Sequence, residues 1–201
     1  MFSHQCYGCY KQNGLGDDIL AGNSQIISGL FRNVYGVRPQ WNRLMIDPHL
    51  TKELENTKLR YPLRGENYWL TINAKVSTIS ADKLAVTAAT PFAVNATAKG
   101  GQWFHGADKT PALQVSHQGS GTLGLEIINW SETAKKWKER AAGSAAVSYS
   151  VHNLKPKGKY TVTINGEKLV TKTANKEGQI SFSAKASESQ TARTFDISPA
   201  N

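Results

Sequence analysis

Apolar positions between Ile19 and Tyr35 recur at helical spacing. Ile26, Ile27, Leu30, Phe31 and Val34 form one stripe, and the spacing predicts a helix over 19–35. Asp17 and Asp18 stand just ahead of it. Either can cap it, because a side-chain oxygen accepts from an orphan N–H of the first turn and the negative charge suits the helix dipole. Gly36 follows the last periodic residue and is placed to take the left-handed position that ends a helix, with Pro39 a little beyond. Gly22 and Gly29 lie inside the stripe. Each costs about 1 kcal/mol relative to Ala, an arrangement that makes sense where a second helix packs closely.

From Trp41 the period changes to two. Segment 43–48 reads as a strand closed by Asp47-Pro48, and 58–64 alternates polar and apolar residues. After a turn at Gly65-Glu66-Asn67, residues 68–73 are its hairpin partner. Pro62 inside the first of these strands marks an edge or a bulge. Further strands are expected at 75–79, 83–88, 91–97, 112–116, 122–129, 146–152, 159–164, 168–173, 179–184 and 193–197. Asn165-Gly166 between two β-rich runs is the strongest hairpin signal, since both central residues of a type I′ turn need positive φ. Residues 131–145 are polar and are expected as a loop or a short helical turn.

Many short strands at close spacing predict β-sandwich architecture. The expected fold class is mainly β: one N-terminal α-helix followed by two β-sandwich domains. The expected division is 1–40 for the helical part, 41–100 for a first sandwich and 101–201 for a second, with the Gly-containing stretch 99–110 as the boundary.

With 201 residues the chain is long enough to bury a core. Its apolar runs fall short of the roughly 20 residues of a membrane helix, so no membrane partner is expected. MFSHQCYGCY lacks the basic and apolar regions of a signal peptide, and the expectation is that the protein starts upstream of Met1. The net charge of +9 raises nucleic acid as a partner. The bases from Lys135 to Lys176 are spread over strands and turns, without a helix-turn-helix, RNP or zinc-finger pattern, so no nucleic-acid partner is expected. A solvated basic face is the plain reading, and attraction to an acidic polysaccharide the sharper one.

Candidate chemistry is sparse. Cys6 and Cys9 form a lone C-x-x-C without a second ligand pair. The histidines have no ligand neighbours at metal spacing, there is no Gly-x-Ser-x-Gly elbow, and Gly14-Leu15-Gly16 lacks the rest of a dinucleotide fingerprint. No metal or cofactor is expected.

The segment GLFRNVYGVRPQWNRLMIDPHL, followed by TKLRYPLRGENYWLTIN, resembles the carboxyl end of bacterial glycoside hydrolases built on an (α/α)6 barrel. The shared order is a helix, Tyr35-Gly36-Val37, a strand ending in Asp47-Pro48-His49, then Arg64-Gly65 and an aromatic-rich strand. The later SYSVHNLKPKGKYTVTINGEKL, with GQISFSA after it, is similar to accessory sandwich domains of such enzymes. The resemblance implies a last barrel helix leading into sandwiches of the jelly-roll or immunoglobulin-like kind, a barrel domain upstream as partner, and a periplasmic or extracellular parent. It also implies a glycosidase whose two carboxyl groups stand about 6.5–9.5 Å apart across the sugar. A single helix does not supply both, so this chain alone is expected to be inactive. Asp17 and Asp18, at the loop-to-helix junction, are the pair the resemblance offers for one catalytic role, with plain capping as the alternative.

Trp41, Trp69 and Trp103 are the candidate carbohydrate contacts, because a flat aromatic face covers the apolar side of a sugar ring. Trp41 and Trp69 also suit packing at a domain junction. Trp103 is expected in a Gly-flanked loop, where paired aromatics are less easily buried, and Trp137 is expected to be covered by neighbouring lysine stems or partly exposed. Two functional expectations follow: a non-catalytic carboxyl-terminal part of a glycosidase, or a free-standing carbohydrate-binding or adhesion module. An exposed apolar face on the helix favours the first. A covered helix with a line of exposed aromatics favours the second.

Overall fold

The computed structural model describes residues 24–140, 146–185 and 191–200. Helix α1 covers 24–34, and its last turn, Leu30–Val34, is a π-turn closed by the Tyr35 N–H donating to the Leu30 carbonyl at 3.1 Å. The strands are β1 (Val37–Pro39), β2 (Leu44–Ile46), β3 (Thr57–Leu63), β4 (Glu66–Ile72), β5 (Val76–Ser80), β6 (Leu84–Ala89), β7 (Phe92–Thr97) and β8 (Gly100–His105). They continue with β9 (Leu113–His117), β10 (Leu123–Trp130), β11 (Lys135–Arg140), β12 (Val147–Val151), β13 (Lys159–Ile164), β14 (Glu167–Thr173), β15 (Ile180–Ala184) and β16 (Arg193–Pro199).

The strands form two open sheets. One has seven strands in the order β1-β2-β7-β8-β9-β12-β15, and the other nine in the order β14-β13-β16-β11-β10-β6-β5-β4-β3. The mainly β class with one N-terminal helix is therefore as the sequence predicts. The pairings are antiparallel except β6 with β10. Most strands turn their apolar positions inward at period two, as Leu123 and Leu125 do on β10 and Val147, Tyr149 and Val151 do on β12. The two inner faces share a core that runs from Val37 to Ile197. An aromatic column crosses it: Trp137 stacks on Phe195 at 5.0 Å, and Tyr149 touches both Phe195 and Phe182 at 4.9 Å.

Residue 100 does not separate two sandwiches. It begins β8, which pairs with β7 on one side and β9 on the other, and β6 meets β10 across the expected boundary. Both sheets draw strands from both halves of the chain. The expected loop at 131–145 contains β11, a central strand whose inward residues are Lys135, Trp137 and Glu139. Trp137 is fully buried rather than surface-covered.

Helix α1 sits on one end of this sandwich. Phe31 packs against Tyr35 and Tyr61 at 6.1 and 6.2 Å. Gly36 takes the left-handed conformation (φ 65°), where a Cβ would overlap the Asp47 carbonyl. That close approach lets Asp47 N–H donate to Gly36 O, and His49 N–H donate to Val34 O, each at 2.9 Å. Arg38 pairs with Asp47 at 3.3 Å. The Tyr35-Gly36-Val37 and Asp47-Pro48-His49 stretches are thus two sides of one helix-to-sheet joint.

Candidate glycan-contacting surface

Two indoles are exposed, one on the β3–β4 edge of the nine-stranded sheet and one in the β1–β2 turn of the seven-stranded sheet. Trp69 is 58% exposed, directly opposite Arg60 in the register. Trp41, in the turn between β1 and β2, is 89% exposed. Each carries a guanidinium 5.5 Å from its ring: Arg60 on Trp69, and Arg64 on Trp41. Arg60 is held in place by donating from Nε and Nη2 to Asn67 Oδ1, at 3.1 and 2.9 Å. Alternation explains the arrangement. Lys58, Arg60 and Pro62 point outward on β3 while Leu59, Tyr61 and Leu63 face the core, and Arg64 with Gly65 forms the tight turn, both at positive φ. The turn thus falls one residue earlier than Gly65-Glu66-Asn67.

The third candidate, Trp103, is 2% exposed and belongs to the core. Its ring meets Trp130 edge-on at 4.8 Å and His105 at 5.7 Å. The flanking Gly100 and Gly101 start a paired strand and not a loop, so the sequence cue for exposure was misleading. Asp17 and Asp18, and the Cys6–Cys9 pair, lie outside the described residues.

A cluster of ionisable groups is buried between the sheets. Arg193 donates to Glu139 Oε1 from Nε at 2.9 Å, with Nη2 at 2.7 Å, and the Tyr149 hydroxyl donates to Glu139 Oε2. Burial pushes the Glu139 carboxyl above its usual range, against the opposing pull of Arg193. Both carboxylate oxygens are engaged within the cluster, so it ties β11, β12 and β16 together. Lys135 is pushed below its usual value by burial, while its ammonium donates to the Ser131 carbonyl. His152 is likewise lowered by burial.

Among the described residues, no group of three or more His, Cys, Asp or Glu could hold a metal ion, and no helix is long and apolar enough to cross a membrane. Sequence reasoning singled out Trp41 and Trp69, which are exposed, but did not single out the neighbouring Arg60, Arg64 or Asn67 as contacts. The signal was present in the alternation of 58–64, which sets the bases on the face that Trp69 shares. In comparisons with known proteins, the chain matches no protein-family model, no curated protein and no solved structure.

Proposed function

We propose that this chain is the non-catalytic carboxyl-terminal β-sandwich of a glycoside hydrolase acting on oligo- or polysaccharide, with α1 docking the sandwich onto a helical catalytic domain. The observation that carries the reading is the two-sided helix. Its Phe31 face packs on the sandwich, while Ile26, Ile27 and Leu30 are 72%, 57% and 41% exposed. Burying a side chain of this kind is worth about 1.5–3 kcal/mol, so the exposed stripe is a surface on which a second helix layer gains stability. The resemblance of 13–75 to the joint between barrel and sandwich supports the same partner. The role of the sandwich is to brace that domain and to offer Trp41 and Trp69 to glycan at its border.

An antibody against the sandwich, used on extracts of the source cells, tests this reading. A native product several hundred residues longer than 201, with glycosidase activity in the immunoprecipitate, is the expected result. A native product of 201 residues would sink it. The second reading, a free-standing carbohydrate-binding or adhesion module, is favoured by the exposure of Trp41 and Trp69, and such a short product that still bound glycan would establish it.

A further inference from the structure

The register of the nine-stranded sheet sets Arg60, Trp69, Ser80, Ala85, Gly124 and Arg140 in one outward row. Ser80, Ala85 and Gly124 are too small to rise above the strands, so the row is a trough. One wall is the Trp69 indole with the Arg60 guanidinium fixed beside it. The other is Arg140, four inter-strand steps from Trp69, or about 19 Å at ~4.8 Å per step. The next row adds hydroxyls to the floor, where Thr78 and Thr87 lie within 2.9 Å of each other. At the Arg140 side the trough deepens into a groove of about 240 Å³.

Charge distinguishes this face. On β11, Lys136 and Lys138 are answered by Asp196 at 3.9 Å and Glu126 at 3.7 Å. Among the described residues Lys58, Arg60, Arg64 and Arg140 have no carboxylate partner. No outward position of β3, β4 or β5 from Lys58 to Ser80 is acidic. Unanswered guanidinium groups beside an exposed indole suit a ligand that has apolar ring faces and anionic substituents together.

We propose that the outer face of the nine-stranded sheet binds an acidic polysaccharide, with a sugar ring stacked on Trp69 and carboxylate or sulfate groups held by Arg60 and Arg140. The proposal rests on the carbohydrate reading above and adds the substrate class. A nucleic-acid strand fits less well. It needs a continuous basic track with successive stacking platforms, whereas here the cations stand on opposite walls with one exposed indole on the row.

Binding of the whole chain to oligogalacturonate, chondroitin sulfate, neutral dextran and a single-stranded oligonucleotide, followed by titration calorimetry, tests the proposal. Binding to at least one acidic glycan is expected, weakening as salt rises. The uronate and sulfate arms show which anion is read. Arg60→Gln, Trp69→Ala and Arg140→Gln are each expected to weaken binding about tenfold. Lys168→Gln with Lys172→Gln, on the far edge strand β14, is expected to leave it unchanged. These side chains point to solvent, and an unchanged denaturation midpoint shows that the variants remain folded. Dextran bound as tightly as the acidic glycans, equal affinity for the oligonucleotide, or loss through the β14 pair instead of Arg60 would each overturn the proposal. So would no binding of either acidic glycan. None of these results alters the length of the native product, so the glycosidase reading fails or stands separately.

Discussion

Glu139 has no exposed side-chain surface, and its ionisation is tied to Arg193 and Tyr149. Taking a carboxylate out of water costs several kcal/mol, and the guanidinium offsets that cost only while it is present. Removing Arg193 leaves Glu139 either buried as an unpaired anion or protonated. Arg193→Met is therefore expected to lose about 3–5 kcal/mol. The pH dependence has a definite sign. Burial already raises the Glu139 pKa in the folded state, and loss of Arg193 raises it further. Between the unfolded value, about 4.3, and that raised folded value, the folded chain holds the proton more tightly than the unfolded chain. Stability then falls as pH rises through the window. The deficit of Arg193→Met relative to the parent should be larger near pH 8 than near pH 5 when urea midpoints are compared. An equal deficit at both values would mean that Arg193 acts by packing on Phe195 and not by answering Glu139.

At the scale of elements, Gly29 separates the isolated sandwich from a docked one. It has helical dihedrals (φ −62°, ψ −45°), and a Cβ built there meets nothing within 4 Å among the described residues. Gly29→Ala in this chain should therefore stabilise α1 by up to about 1 kcal/mol, visible as a higher thermal midpoint. In a longer protein whose helical domain packs on this stripe, the same change should weaken the joint. A neutral or harmful effect in the short chain would show that the site is already occupied. The elements also show what the sequence could and could not disclose. The Gly36 stop, the edge position of β3 implied by Pro62 and the Asn165-Gly166 hairpin turn (φ 52° and 86°) were all legible, because each depends on local backbone rules. β11 was not legible. Its inward face is Lys135, Trp137 and Glu139, so the alternation that marks a strand is written in charged residues whose partners, Ser131 and Arg193, are supplied by the fold. With β11 read as a loop, Arg140 could not be placed opposite Trp69, and the trough was invisible. Trp103 failed in the other direction, since its glycines mark close backbone approach inside a sheet and not a turn.

For the whole molecule, the interleaving of strands decides how it unfolds. A boundary at residue 100 would give two cores that melt separately. Instead β6 depends on β10 for one of its edges, β8 is flanked by β7 and β9, and the aromatic column joins β11, β12, β15 and β16 to Trp103 on β8 through Trp130. Cutting the chain at residue 100 would expose the inner faces of Leu84 and Val86 on one piece and Leu123 and Leu125 on the other, all now buried. At about 25 cal/mol per Å² of apolar surface, each piece would lose part of the burial that offsets its chain entropy. The full chain should unfold in one cooperative transition in urea, with tryptophan fluorescence and far-ultraviolet circular dichroism coincident. The pieces 24–100 and 101–200, produced separately, should be unfolded alone. Two resolved transitions, or a folded 101–200 piece, would reinstate the two-domain division. A single transition makes the trough on the nine-stranded sheet part of a rigid whole. Trp69 and Arg140, from opposite halves of the sequence, then keep their spacing only while both sheets are intact, so the proposed binding of acidic glycan should vanish at the same denaturant concentration as the core.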